Sequence, residues 1–315
     1  MPSETAILSD PVYKEHWTGR NHPEQPARMD AVLKALEHSG AMSDAPRVAV
    51  RVATEDEVAL CHTRPYIEIV KRDVASGAKI LSTGDTHIGP QSLAVALMAT
   101  GGVLNAVDMV VGGKAGNAFC AVRPPGHHAT AGCCMGFCLF NNVAIAARYA
   151  QAKHGIGNVA IIDWDVHHGN GTQDILYRDG SVFYFSTHQS PWYPGTGAAV
   201  ETGEGAGAGL TLNCPFAAGA GTKEIVGAFR TRFAPAMRDF RPELVLLSAG
   251  FDSMLGDPLG GFTLLDQDFA ELTGIMLEIA DQYAGGKLVS VLEGGYSLAG
   301  LASGVEAHVE ALHLA

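Results

Sequence analysis

The feature that most constrains the fold is a regular alternation of short apolar runs with longer amphipathic segments. Apolar and β-branched residues dominate the short runs, which are typical of buried strands: 118–122, 159–163, 182–186, 209–213, 243–249 and 287–292. Apolar residues recur at helical spacing in the longer segments: 27–39, 55–76, 91–110, 140–153, 222–239, 265–284 and 300–313. Strands that are apolar on both faces and alternate with helices predict an α/β fold with three αβα layers and a mainly parallel central sheet.

The chain shows no break in this alternation and no linker, so we expect a single domain over residues 1–315. The apolar segment 92–113 contains glycines, an asparagine and Asp108, which favours a core helix over a membrane span. The opening "MPSETAILSD" lacks a basic stretch followed by an apolar stretch, so we expect no signal peptide and a cytoplasmic location without membrane partners.

Charge and cysteine content narrow the classes of function. The formal net charge is −12, which argues against direct nucleic-acid binding and is compatible with attraction of a cationic substrate. The six cysteines form no pair of CxxC motifs and lie mostly in apolar surroundings, so we expect reduced thiols rather than a disulfide framework. The oligomeric state stays open, and a homo-oligomer is compatible with the sequence.

Polar and titratable side chains follow most of the predicted strands directly. The stretches are "RPPGHHA" after 118–122, "DWDVHHGNG" after 159–162, "STH" after 182–185, "GFDSMLGDP" after 243–249 and "EGGYS" after 287–292. Because ligands of an open α/β sheet gather at the carboxyl ends of its strands, these stretches predict one site on one rim of the sheet.

Two residues at the end of run 159–163 have the spacing of metal ligands. If the strand continues, alternation points Asp163, Asp165 and His167 to one side. Asp165 and His167 then suit a metal, with Asp252 arriving from a neighbouring strand end. One imidazole and two carboxylates bind Zn²⁺ and leave open positions, and they also accept Fe²⁺ or Co²⁺. The alternative is a hydrogen-bonded turn with structural aspartates.

A pair of histidines and a tyrosine occupy the same rim. His127 and His128 could be further ligands, or one could be a general base. Asp163 and Asn170 are candidates to orient them through the far ring nitrogens. Tyr296 follows two glycines and could donate a hydrogen bond to an oxyanion, whereas a buried structural tyrosine is the alternative. The chain lacks GxSxG, GxGxxG and Walker A motifs, which disfavours serine-nucleophile and nucleotide chemistry.

These residues, in this order, resemble the zinc-dependent histone deacetylase family, including its bacterial amidohydrolases. The asparagine at 170, "GNGTQ" and "EGGY" are similar to the class II branch and its bacterial relatives. The matching blocks cover most of the chain: "HPEQPAR" (22–28), "RPPGHHA" (123–129), "GFCLFNN" (136–142), "DWDVHHGNGTQ" (163–173), "PGTG" (194–197), "SAGFDSMLGDPLGGF" (248–262) and "EGGYS" (293–297).

The resemblance implies a zinc-dependent amidohydrolase with an arginase/deacetylase-like fold that removes acetyl groups by attack of metal-activated water. Asp165, His167 and Asp252 would bind zinc. His128, oriented by Asn170, would be the general base and later the acid. His127, oriented by Asp163, would act electrostatically, and Tyr296 would polarise the amide carbonyl. His168 is left without a catalytic role and is expected to give structural support.

The resemblance also implies a substrate tunnel and two sites for a monovalent cation such as K⁺. Phe137 and Tyr193 would form the tunnel walls, Gly136 its floor carbonyl, and Arg28 would line an inner cavity where acetate leaves. The implied cation sites comprise Asp163, Asp165, His167, Ser186 and Thr187 for the first, and Leu176, Asp179 and Val182 for the second.

The substrate is expected to be an N-acetyl-lysine protein or peptide, or a small N-acyl amine. Leu259 is apolar where polyamine-selecting relatives can carry a glutamate, and the long amino-terminal insertion of acetylpolyamine amidohydrolases is absent. An acetylpolyamine deacetylase and a non-catalytic acyl-lysine-binding relative remain alternatives, although Tyr296 and the complete histidine pair argue for activity. An arginase-type ureohydrolase is rejected, because "DVHHGN" lacks the DxHxD pattern that a second metal needs.

Overall fold

The computed structural model of the protein describes residues 4–40 and 45–314. The described residues do not include 1–3, 41–44 and 315. These positions belong to the predicted domain, and 1–3 begin the opening segment. The strands are β1 (Thr5–Ser9), β2 (Asn117–Ala121), β3 (Val159–Asp163), β4 (Val182–Gln189), β5 (Thr211–Phe216), β6 (Leu244–Ala249) and β7 (Leu288–Leu292).

The strands form one seven-stranded sheet in the order β1-β2-β7-β6-β3-β4-β5, and every neighbouring pair is parallel. Strands β2 and β3 are consecutive in the sequence but not adjacent in the sheet, because β7 and β6 lie between them. Strands β2, β7, β6 and β3 are therefore adjacent, and their carboxyl ends meet at the centre of one edge. A crevice forms where the direction of winding changes, which is the usual ligand position in such sheets.

The α-helices flank the sheet and match most of the predicted segments. They are α1 (Ala27–His38), α2 (Glu55–Val58), α3 (Arg64–Ala75), α4 (Ser92–Val111), α5 (Asn142–His154), α6 (Asn170–Leu176), α7 (Thr222–Ala228), α8 (Ala234–Phe240), α9 (Asp266–Ile279) and α10 (Leu298–His313). Single π-helical turns, Phe229–Phe233 and Ala280–Ala284, join α7 to α8 and extend α9. The predicted three-layer α/β fold with a parallel sheet is confirmed.

Helix α4 has the length and hydropathy of a membrane-spanning segment, yet it packs in the core as the sequence predicted. Its residues contact β1, β2, β7 and α5, and 61% of its most apolar window is buried. Val103, Leu104 and Val107 are fully buried there. Removal of these apolar side chains from water is the main stabilising contribution of the helix.

Three of the differences between the predicted and the observed elements have a local physical cause. Strand β1 was missed, because only residues 6–8 are apolar in a polar context. The helix expected over 55–76 is two helices, since Thr63 caps α3 through its side chain and Pro65 occupies the first turn of α3, which disfavours helical backbone just before it. The strand expected at 209–213 begins at Thr211, because Gly209 adopts φ +83° in the preceding turn.

Candidate active site

The residues after β3 continue the alternation of side chains although the strand itself ends at Asp163. The Asp165 N–H donates to Asp163 Oδ1 (3.2 Å), and the His167 N–H donates to Asp165 Oδ1 (2.9 Å). Trp164 and Val166, which lie between them in sequence, are fully buried in the apolar core. Side chain-to-backbone turns therefore keep Asp165 and His167 on the polar side after the ladder has stopped.

The three predicted metal ligands converge on one point. His167 Nδ1 lies 2.9 Å from Asp165 Oδ1 and 3.1 Å from Asp252 Oδ2. One ligand atom from each residue lies within 4.8 Å of the others, and all three residues are buried. The carboxylates are held by backbone donors: Val166 N–H to Asp252 Oδ1 at 2.9 Å and Gly294 N–H to Asp165 Oδ2 at 2.8 Å.

This donor set fits a divalent metal. Burial raises the pKa of Asp252 to about 7, and the charge of Asp165 adds to the rise, because two neighbouring buried carboxylates repel each other. A divalent cation between them relieves that repulsion. A Cβ at Gly294 would overlap both carboxylates, so the glycine backbone closes the site on the β7 side. One imidazole and two carboxylates suit zinc, with positions left for water and substrate.

The tandem histidines lie beside these ligands with their ring centroids 4.0 Å apart. His127 Nδ1 lies 3.0 Å from Asp163 Oδ2, and His128 Nδ1 lies 2.7 Å from Asn170 Oδ1. Asn170 begins α6, which directly follows the metal-ligand segment. The structure thus brings each histidine to the partner that the sequence suggested.

The two histidines differ electrostatically because their partners differ. Burial acts against a charged His127, but the adjacent charges of Asp163 and Asp165 outweigh it and raise its pKa well above the usual value. Burial and the charge of His127 lower the pKa of His128 well below the usual value. The pKa values of the two imidazoles are therefore shifted in opposite directions, which suits one charge stabiliser and one proton acceptor.

Tyr296 is carried by the glycine turn after β7. Its ring lies 5.9 Å from the Phe137 ring, and the Arg28 guanidinium carbon lies 5.1 Å from its ring centre. Burial raises the pKa of Tyr296 well above its usual value, so the phenol keeps its proton and can donate it in a hydrogen bond.

Arg28 is fully buried behind Tyr296 and holds the glycine turn. Its guanidinium donates to the carbonyls of Gly295 (2.7 Å) and Glu293 (2.6 Å) and to Glu24 Oε1 (3.0 Å). Arg28 does not line the cavity in front of Tyr296. An acetate path along Arg28 therefore stays a prediction.

A cavity of about 220 Å³ leads from the surface to these residues. The predicted lining residues Gly136, Phe137, Tyr193 and Leu259 all contribute to it, with His128, His167 and Tyr296 at the reactive end. Gly136 has φ +52°, and a Cβ there would overlap the His128 ring, so glycine permits the close approach. The lining of the cavity is largely apolar, which suits an aliphatic chain.

The residues predicted for the two monovalent-cation sites are buried or tied to other partners. Ser186 Oγ lies 2.9 Å from His188 Nδ1, whereas the fully buried Thr187 Oγ1 has no hydrogen-bond partner among the described residues. Asp179 accepts from Ser181 N–H at 2.6 Å and forms an ion pair with Arg148. The carbonyl of Leu176 accepts from Asp179 N–H at 2.9 Å.

His168 takes the structural position expected of it. Its Nδ1 lies 2.7 Å from Thr196 Oγ1 and its Nε2 lies 3.0 Å from Gln173 Oε1. The two ring nitrogens thus tie the loop after β4, through Thr196, to α6, through Gln173, and burial lowers the pKa of this histidine to about 3.

Two residues that line the cavity were not found from the sequence. Asp85 lines the cavity and accepts hydrogen bonds from Gly136 N–H (2.9 Å) and the Tyr193 hydroxyl (3.0 Å). Trp192 also lines it and is 46% exposed. The position of Trp192 directly before Tyr193 was a signal that it could line the cavity. Asp85 gave no such signal, because it lies in a turn that follows no strand.

The fold and the donor set together fit a metal-dependent hydrolase. Residues 22–312 match the histone deacetylase domain family, and the chain belongs to that family. The family assignment made from the sequence motifs is confirmed.

Curated relatives agree with this assignment. The chain is 38% identical over 277 residues to "Histone deacetylase-like amidohydrolase" of Pseudomonas aeruginosa, covering 88% of this chain and 73% of that protein. It is 39% identical over 300 residues to "Polyamine deacetylase HDAC10" of Homo sapiens, covering 92% of this chain and 44% of that protein. It is also 40% identical over 308 residues to "Histone deacetylase 6" of Caenorhabditis elegans. That match covers 93% of this chain but only 32% of the length of that protein.

A solved structure agrees as well. The "HDA15 HD domain" crystal structure superposes with a TM-score of 0.93 at 35% identity, covering 98% of this chain and 89% of that one. The likeness extends over nearly the whole chain, so the relationship rests on the complete fold as well as on the site motifs.

Proposed function

We propose that the protein removes acetyl groups from N-acylated amines, with acetyl-lysine side chains as the main substrate and zinc as the metal. The observation that carries the proposal is the convergence of Asp165, His167 and Asp252 beside the paired histidines, bonded to Asp163 and Asn170, at the end of the cavity. When bound, the metal supplies Lewis acidity toward the amide carbonyl and lowers the pKa of water.

The neutral His128 takes the proton of the attacking water and later returns it to the leaving amine. Its Nδ1 is occupied by Asn170, so Nε2 is the nitrogen that accepts. The His127–Asp163 pair places a positive charge beside the reacting carbonyl. Tyr296, which retains its proton, donates a hydrogen bond to the acyl oxygen as negative charge develops there.

Acetyl-lysine is favoured by the walls of the cavity. Phe137 and Tyr193 offer aromatic faces to the four methylene groups of a lysine side chain, and Leu259 adds an apolar rim. The Asp85 carboxylate beside Tyr193 supports the second candidate, an acetylpolyamine deacetylase, because it places a negative charge near the free amines of such a substrate.

A side-by-side comparison of kcat/KM tests this ranking. An acetyl-lysine peptide, acetylspermidine and acetylputrescine are turned over by the same zinc-loaded protein. We expect the highest kcat/KM for the peptide. A preference for either polyamine overturns the proposed substrate while leaving the deacetylase chemistry in place.

We propose a cytoplasmic location for the protein.

We further propose that Asp163, Ser186 and Thr187 contribute to a structural K⁺ site. The buried, unpartnered Thr187 Oγ1 of the described chain supports the ion site. Thermal unfolding in KCl against the same ionic strength of tetramethylammonium chloride tests it, and an unchanged Tm overturns it.

A further inference from the structure

Asp257 lies in the loop after β6 and is almost fully buried, with 6% of its surface exposed. Its carboxylate accepts three backbone hydrogen bonds. Oδ2 accepts from Tyr296 N–H (2.7 Å) and Ser297 N–H (2.9 Å), and Oδ1 accepts from Leu259 N–H (2.9 Å). One side chain thus joins two loops that approach the cavity from different strands.

Both loops bear a residue that lines the cavity. Tyr296 stands at the reactive end and Leu259 at the rim. The connection extends further, because Trp192 Nε1–H donates to the carbonyl of Leu259 at 2.8 Å. A continuous path of three polar contacts therefore runs from the exposed indole at the rim to the backbone of Tyr296.

The bonds to Asp257 fix the position of the Tyr296 backbone. Bonds from N–H groups to a carboxylate are shorter and stronger than neutral ones. Ser297 also caps α10 through Gly300 N–H at 3.3 Å, so the carboxylate lies near the positive end of that helix. The phenol oxygen lies far from its own backbone, and a small rotation of the loop therefore displaces it by a larger distance.

We infer that Asp257 is a positioning residue that couples the rim at Leu259 and Trp192 to the placement of the Tyr296 phenol. The inference rests on the oxyanion role of Tyr296 given under the proposed function. Asp257 does not line the cavity and its carboxylate is bonded to backbone N–H groups, so it acts through the backbone of Tyr296.

A double-mutant cycle of Asp257→Asn with Tyr296→Phe tests the coupling. An asparagine side chain has one oxygen acceptor and cannot satisfy the three N–H donors. Asp257→Asn in the otherwise native protein is expected to lower kcat about tenfold or more, since a small misplacement of a catalytic group has an effect of this order. In the Tyr296→Phe background the same change is expected to alter kcat less than about twofold, because the group that it positions is gone.

Asp268→Asn is the matched control. Asp268 is also buried and accepts from a backbone N–H, that of Leu265 at 2.8 Å, but it does not contact the Tyr296 turn. Its effect on kcat is expected to be the same in both backgrounds. KM for the acetyl-lysine peptide is expected to rise with Asp257→Asn, because Leu259 shifts at the rim, and to stay constant with Asp268→Asn.

The outcomes separate the coupling from the proposed function. Equal effects of Asp257→Asn in both backgrounds overturn the coupling and leave the function standing. Native turnover by Tyr296→Phe alone overturns the oxyanion role and the coupling with it. If circular dichroism shows that Asp257→Asn does not fold, the cycle is run with Asp257→Glu, which keeps the charge and displaces it by one methylene group. Additivity in that cycle overturns the coupling equally.

Discussion

The Nδ1 atom of His128 lies 2.7 Å from Oδ1 of Asn170, and this contact determines which nitrogen of His128 is free to act. The orientation of the Asn170 side-chain amide is supported by its nitrogen, because Nδ2 donates to Met135 Sδ at 3.4 Å and Oδ1 is thereby directed toward His128. An oxygen facing His128 requires the proton on Nδ1, and Nε2 is left as the basic nitrogen toward the cavity.

Replacing Asn170 by alanine removes the partner that sets this tautomer. We expect kcat on an acetyl-lysine peptide to fall about tenfold to a hundredfold, within the contribution of a general base, with zinc content unchanged. Asn158→Ala, at an asparagine bonded to the distant Phe240 carbonyl, is the control and is expected to retain native turnover. Native kcat in Asn170→Ala contradicts the assignment of His128 as the base.

Tyr296→Phe removes a hydroxyl without changing the ring that packs near Phe137. We expect kcat to fall about a hundredfold to a thousandfold, as for loss of one oxyanion donor. Zinc content, measured by inductively coupled plasma mass spectrometry, is expected to stay at the native value because Tyr296 is not a predicted ligand. Normal turnover in this variant removes the oxyanion role.

Gly294→Ala introduces a methyl group against the carboxylates of Asp165 and Asp252. We expect weaker zinc binding, seen as a raised Kd in competition with a chelating dye, and a loss of activity that excess zinc partly restores. Gly227→Ala, on the open side of α7 with no atom within 4 Å of the added methyl group, is the control. It is expected to bind zinc normally and to gain up to about 1 kcal/mol of stability from helix propensity. Native zinc affinity in Gly294→Ala contradicts the proposed ligand geometry.

His308 makes stability depend on pH. Burial lowers its pKa to about 3, and its nitrogens lie 2.6 Å from Thr273 Oγ1 and 2.8 Å from Ser290 Oγ. The unfolded histidine titrates near pH 6.5. The unfolded state therefore binds a proton that the folded state rejects, and the contribution of His308, complete above pH 6.5, is lost as the pH falls toward 3.

His308→Gln separates this contribution from that of the other histidines. Between pH 7.5 and 5, the native protein is expected to lose about 2 kcal/mol more of its unfolding free energy than the variant does. Urea denaturation at a fixed zinc concentration across this range is the measurement. Parallel pH profiles for the two proteins contradict a neutral His308 in the folded state.

Much of the site was predictable from the sequence because polar residues that follow buried strands are conspicuous. Asp165, His167, Asp252 and the histidine pair all lie in such stretches, and the parallel order of the sheet explains why they meet. The need of each imidazole for a partner made Asp163 and Asn170 candidates, and the family resemblance implied which histidine each of them contacts.

The unpredicted features depend on contacts that no local pattern records. Asp257 acts through backbone N–H groups of residues 296 and 297, about forty positions away in the chain. Asp85 lies in a turn that follows no strand. Its carboxylate is held at the cavity by hydrogen bonds from Gly136 N–H and the Tyr193 hydroxyl. Strand β1 has too few apolar residues to stand out, and pairing with β2 stabilises it.

Turnover of an acetyl-lysine fluorogenic peptide by the zinc-loaded protein, with and without a hydroxamate, tests the central claim most directly. We predict turnover that the hydroxamate inhibits, that chelation of the metal abolishes and that added zinc restores. Hydroxamate binding by metal-loaded protein without turnover of the peptide or of acetylated polyamines would contradict the account and favour a non-catalytic acyl-lysine-binding protein.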